Sequence, residues 1–192
     1  MNRVGRSGWL LGCIALGLVG CGRGAGTNYL PLRTGTEWTY RVRSGFDLRI
    51  ELVRVTGPIA VAGGDGWQLN GPMGESRLAW REGVLLAEQL PGTRFAPAIP
   101  LLRVTDLSGK FWQGFVSANG HTQSAQADLR MVQESLMLAG RKRQALRSTV
   151  TLNLKPTALV LDSWFVADIG IVRQELRRGD ALVRAMDWVA GP

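Results

Sequence analysis

Cysteine is nearly absent, with two residues in 192. Cys13 and Cys21 both fall in the first twenty-one positions, so the rest of the chain has no thiol for a disulfide, a thiolate metal site or a nucleophile. Burial alone must stabilise that body. Histidine occurs once, at His121. A serine triad or a histidine-based zinc site would have to be built on that single ring. Standing directly after Asn119-Gly120, it reads instead as a solvated side chain beside a turn. No glycine-rich loop sits between a strand and a helix, and Gly63-Gly64-Asp65-Gly66 reads as a turn. Asp162, Asp168, Glu175 and Asp187 could supply two carboxylates for acid–base work. Their spacing does not call for it, and charges on the wet faces of strands explain them. Arg178-Gly179-Asp180 reads as a hairpin turn, not an adhesion tripeptide. The expectation is a non-enzymatic protein with no catalytic residues, no metal and no cofactor.

Acidic residues are the scarcer sign, 15 Asp and Glu against 23 Lys and Arg. Such a balance can serve nucleic acid or anionic membrane. The basic residues are scattered, apart from Arg141-Lys142-Arg143, and an ordinary arginine-rich surface accounts for them. Nucleic acid is not an expected partner, because the chain opens with an export leader.

Long apolar runs are also missing, save one. Arg3 and Arg6 precede an uncharged stretch, Ser7 to Gly20, centred on Leu10-Leu11-Gly12-Cys13-Ile14-Ala15-Leu16. A basic start, a short apolar middle and small residues at the cut make a secretory leader. As a helix the stretch would reach about 21 Å, short of a bilayer core of about 30 Å. Leu18-Val19-Gly20-Cys21 resembles the lipobox of bacterial lipoprotein precursors. That resemblance implies cleavage between Gly20 and Cys21, a diacylglyceryl group on the Cys21 sulfur and an acyl chain, such as palmitate, on the new amino group. Two or more chains anchor stably where one holds only marginally. The expected organisation is a signal peptide over 1–20, a lipidated cysteine and flexible tether over 21–28, and one domain over 29–192. Gly22 to Asn28 would reach roughly 14 Å, at about 5–6 Å times √n. Gly22 is not the aspartate associated with inner-membrane retention in some bacteria. The expected address is the cell envelope, on the outer membrane facing the periplasm.

The remaining body is one domain by length. From Tyr29 onward apolar residues recur with period two. Trp38-Tyr40-Val42 alternates with Thr39, Arg41 and Arg43, and Ile50 and Leu52 alternate with Arg49 and Glu51. Leu78 and Trp80 are flanked by Arg77 and Arg81, and Val150-Leu152-Leu154 alternates with Thr149, Thr151 and Asn153. Alternation places one set on a core face and the other in water. Gly57-Pro58, Asn70-Gly71-Pro72, Gly179-Asp180 and above all Asn119-Gly120 read as turns. The reading is a mainly antiparallel sheet. Gln123 to Leu146 fits helix and strand alike. Leu90 to Leu102, with Pro91, Pro97 and Pro100, reads as an edge strand or an apolar covering loop, because proline cannot donate to a ladder.

Four segments resemble a family of bacterial lipoproteins. They are Tyr29-Leu30-Pro31-Leu32-Arg33-Thr34-Gly35-Thr36-Glu37-Trp38-Thr39-Tyr40, then Gly109-Lys110-Phe111-Trp112, then Ala139-Gly140 with Ala145-Leu146-Arg147, and lastly Trp164-Phe165-Val166-Ala167-Asp168-Ile169-Gly170-Ile171-Val172. Leu138 departs from that family's usual proline, and Lys142 from a common aromatic. The resemblance implies a curved antiparallel sheet, a half-barrel or open barrel similar to the carriers that sort lipoproteins to the outer membrane. It also implies two strands joined at Ala139-Gly140. It brings no activity, cofactor or catalytic residue.

Six tryptophans lie in the body: Trp38, Trp67, Trp80, Trp112, Trp164 and Trp188. Each can bury roughly 150–250 Å². One reading has them fill the concave side of a bent sheet. The other has Trp38, Trp80, Trp112 and Trp164 line a groove for a ligand. Two functions follow. One is a membrane-anchored structural or partner-binding scaffold. The other is a carrier of a lipid or lipid-modified ligand, for which a cavity above about 300 Å³ open to solvent would speak. Cys21→Ser is expected to leave the protein soluble or as uncut precursor. Fractionation and mass of the product check this, and a membrane-bound product of unchanged mature size overturns it.

Overall fold

The computed structural model describes residues 28–192. Cys13, the leader, the Gly20–Cys21 junction and most of the tether lie outside the described residues. The strands are β1 (Glu37–Ser44), β2 (Asp47–Val61), β3 (Gly64–Gly71), β4 (Gly74–Arg81), β5 (Val84–Leu90), β6 (Thr93–Arg103), β7 (Lys110–Ala118), β8 (His121–Leu138), β9 (Arg141–Asn153), β10 (Leu159–Val166), β11 (Gly170–Arg178) and β12 (Ala181–Ala190). Each pairs antiparallel with the next, and β1 closes the ring on β12. The fold is all-β and antiparallel, as the alternation predicts. Its curvature runs to full closure, which leaves no free sheet edge at either end of the strand order.

Tight turns make this meander possible. At Asn119 and Gly120, φ is 51° and 77°, the two positive values that a two-residue hairpin needs. Ala139 and Gly140 do the same, at 47° and 75°, and so Gln123 to Leu146 is two strands and not a helix. Trp38, Tyr40 and Val42 face inward and are buried, with Trp38 1% exposed.

Three local expectations are overturned. In β2 the alternation is present but inverted. Glu51 pairs with inward Tyr40 and is 5% exposed, whereas Ile50 pairs with Arg41 and is 64% exposed. Period two names two faces without saying which is inside, and a one-residue slip exchanges them. Gly57-Pro58 is not a turn. It lies within β2, just after a bulge against β3 between Val55 and Gly57 and past Arg54, where the ladder to β1 ends and one side of β2 is free to tolerate a proline. Thr93–Arg103 is a strand and not a covering loop. Its ladder to β7 runs only over Thr93 to Ala96 and stops at Pro97, and two register shifts interrupt its ladder to β5. Where the ladder to β7 ends, the Trp112 indole donates to the Pro97 carbonyl at 3.2 Å.

One large core lines the inside of the ring, and a smaller one sits outside it. The β8–β9 hairpin extends beyond its neighbours, and Leu136 and Leu138 pack on Ala145, Trp164, Val166 and Val172. Ile50→Ser is expected to move stability by no more than about 0.5 kcal/mol, as for an exposed site. Trp38→Ala is expected to cost about 3–5 kcal/mol. Urea midpoints of the two variants test the inside-out assignment of β2 against that of β1.

Candidate binding cavity

All six hairpin turns that follow odd-numbered strands gather at one end of the barrel, and the chain enters at the other. The entry end is plugged. Residues 28–36 cross it, with Leu30 and Leu32 buried beneath the ring. Asp168 N–H donates to the Asn28 carbonyl at 2.7 Å, and Leu30 N–H donates to Asn28 Oδ1 at 3.1 Å. The Trp80 indole donates to the Leu30 carbonyl at 3.2 Å. Gly35 N–H and Val55 N–H complete a small ladder with the Val55 and Thr36 carbonyls.

β1 is tied past β12 to the start of β11, the next strand but one in the ring. Trp38 Nε1 donates to the Ile169 carbonyl at 2.6 Å, and Tyr40 Oη donates to the Ile171 carbonyl at 3.0 Å. Burial pushes the Tyr40 phenol well above its ordinary pKa, so it stays a neutral donor. Gly170 makes room for this. Its φ is +106°, and a Cβ there would stand 3.0 Å from Trp38 Nε1 and 3.1 Å from Leu30 Cδ1.

Above the plug the interior is not filled. A cavity of about 320 Å³ remains, with Leu30, Trp38 and Leu85 at its floor. Leu69, Leu78, Phe95, Ile99, Leu101, Val150, Leu152, Leu161 and Met186 are among its walls. Its upper lining, Ser44, Met73, Gly74, Pro91 and Val183, belongs to the hairpin end and is exposed there. Leu, Val, Ile and aromatic side chains dominate, with Ser44, Ser76, Thr93 and Gln174 interspersed. That is the composition of a small-molecule site at the lower end of the usual size range.

One charged pair enters the wall. Arg184 Nη2 meets Glu51 Oε2 at 2.9 Å and bridges β12 and β2, the two neighbours of β1. Glu51 and Arg184 are the only charged residues among the described lining. Burial pushes the Arg184 guanidinium down, and the Glu51 carboxylate partly opposes this. Arg184 Nε is buried with no hydrogen-bond partner.

Of the four tryptophans expected to line a groove, Trp38 lines the cavity floor. Trp80 holds the plug. Trp112 packs edge-to-face on Phe95 at 6.2 Å, away from the lining. Trp164 faces outward, because its register neighbour Phe165 is the residue turned into the barrel. It lies between Arg147 on β9 and Arg173 on β11, whose guanidinium carbons are 4.9 and 5.1 Å from the ring centre. Its indole donates to Glu134.

Of the four carboxylates considered for acid–base work, Asp162 and Glu175 belong to that outer face, while Asp168 lies in the β10–β11 turn and Asp187 on β12, both exposed. Asp162 accepts from Arg147, Thr149 and Arg177, and Glu175 from Arg173 and Arg177. All four oxygens of these two carboxylates accept from a guanidinium or hydroxyl on the sheet surface, away from the cavity. His121 opens β8 and is exposed. Among the described residues no cluster of three or more His, Cys, Asp or Glu could hold a metal. Glu51 and Arg184 went unread in the sequence. The one available signal was Glu51 inside an alternating run, which the inverted register turns inward.

No family model matches the chain, and no curated protein matches it. Two solved structures share its fold. A candidate lipoprotein from Parabacteroides distasonis aligns at 10% identity and a TM-score of 0.53, over 86% of this chain and 99% of its own. A candidate exported protein with a YmcC-like fold from Bacteroides fragilis aligns at 11% identity and a TM-score of 0.50, over the same shares.

Gly170→Ala is expected to destabilise the barrel by more than about 1 kcal/mol, because it strains a left-handed position and crowds the plug together. The urea midpoint measures it. An unchanged midpoint would remove Gly170 from the plug's architecture.

Proposed function

We propose that this is a non-enzymatic lipoprotein of the cell envelope, anchored through Cys21, whose barrel holds an apolar chain such as a lipid or a lipid-modified ligand. The observation that carries the reading is the 320 Å³ cavity, apolar, floored by a plug and open at the hairpin end. A protein that served only as a scaffold gains nothing from leaving its core unfilled, since each unfilled volume forfeits packing. The leader and Leu18-Val19-Gly20-Cys21 support export and anchoring. The fold relatives, one described as a lipoprotein and one as exported, are in keeping with that address. The outer membrane, facing the periplasm, follows from Gly22 after the lipidated cysteine.

Ionisable residues fit this better than they fit catalysis. The only histidine is exposed at a strand end, and the outer carboxylates are tied to arginines. The membrane is the one partner that the anchor specifies, and nucleic acid has no place in the reading.

Native mass spectrometry of the full protein purified from its own envelope tests the proposal. The expected result is a non-covalent apolar mass in addition to the covalent lipid. Leu161→Trp, which fills the cavity from β10, is expected to lower that occupancy at least several-fold. An apo mass that persists when lipids are added would leave only the scaffold reading.

A further inference from the structure

The Glu51–Arg184 pair constrains what kind of molecule can occupy the cavity. Taking as its basis the reading of the cavity as a site for an apolar chain, we infer that the chain carries a neutral, hydrogen-bonding head, an ester or amide bearing hydroxyls, and not a free carboxylate.

The argument is one of donors and charge. A guanidinium has five N–H donors and no acceptor. One of those on Arg184 goes to Glu51, and Nε has no partner although it is buried. The wall therefore lacks acceptors, and an unmet buried donor is costly. A ligand oxygen beside Arg184 would supply the acceptor. The second Glu51 oxygen can take a hydroxyl in return.

Charge decides between the two kinds of oxygen. The side chains of Glu51 and Arg184 are 6% and 18% exposed, and they already balance each other. A second carboxylate would compete with Glu51 for one arginine in an apolar wall, where like charges at close range oppose each other strongly. A carbonyl or hydroxyl accepts the same hydrogen bond without that repulsion. Position agrees with this. Arg184 lies near the start of β12, next to mouth residue Val183, while Leu30, Trp38 and Leu85 form the floor. The head of an amphiphile would meet the pair as its tail reached the plug.

The test uses the full-length protein in nanodiscs, incubated with equimolar laurate and monolauroylglycerol at a pH where laurate is ionised. Native mass spectrometry then reads the ratio of the two adducts. The expected ratio favours the ester by about ten-fold or more. Glu51→Gln unbalances the arginine, and the ratio is expected to reverse toward laurate. The double variant E51Q/R184Q is expected to bring it close to one. Equal occupancy in the unaltered protein, or preference for laurate, overturns the head-group inference and leaves the cavity reading standing. Occupancy by neither removes the cavity reading itself. If Glu51→Gln alone does not fold, the unaltered ratio and the double variant still decide.

Discussion

Closure of the sheet on itself, first strand to last, is the constraint on which everything else rests. An open sheet of this length would expose two rows of unpaired backbone groups. Here β1 takes β12 on one side and β2 on the other, so it works as the keystone of the ring. Its inward residues carry two hydrogen bonds to carbonyls 131 residues away. These tie β1 to β11 beside the plug, whose own bonds run from Asp168 and Trp80. The Glu51–Arg184 pair spans the same strand from its two neighbours. Loosening β1 would therefore undo closure, plug and cavity wall together.

The outer face of β9, β10 and β11 shows a different use of charge. Asp162 and Glu175 point out of the barrel yet are buried, because arginines fold over them, from adjacent strands for Asp162 and from two residues either side on β11 for Glu175. Those arginines remain a third or more exposed, so the individual ion pairs are worth little once solvent screening is counted. Their collective effect is geometric. Arg147 and Arg173 grip Trp164 from both sides and fix the relative position of three strands at the site where the β8–β9 hairpin packs. The inside of the barrel holds one charged pair in apolar surroundings, and the outside holds a web in partial contact with water.

Much of this fold is legible in the amino-acid sequence. Trp38-Tyr40-Val42 and Val150-Leu152-Leu154 alternate as they should and face inward. Asn119-Gly120 is a hairpin for the reason that its residue types suggest. What could not be read was the relation between neighbours. Arg49-Ile50-Glu51-Leu52 alternates as cleanly as any segment. Only pairing with Thr39, Tyr40 and Arg41 reveals that its charged residue is inside. Gly57-Pro58 and the prolines of β6 look like interruptions. Ladders that end short of them on one side let the sheet tolerate them. The cavity was hidden for the same reason. Counting six tryptophans says how much ring is available, but only the register shows that Trp38 lies at a floor while Trp164 lies outdoors.

The chain's point of entry gives the barrel a polarity. Asn28 is bonded to the turn between β10 and β11, at the sealed end, so whatever precedes it is delivered there. The aperture is at the opposite pole, one strand length away, about 26 Å along the eight residues of β1 at about 3.3 Å each. The tether expected between Cys21 and Asn28, at roughly 14 Å, would be shorter than that distance. Under the proposed anchoring through Cys21, an upright barrel would turn its back on the leaflet that holds it and offer its doorway to the water beyond. Exchange of cargo would then take place with something arriving from that aqueous side, or only after the whole body tips over.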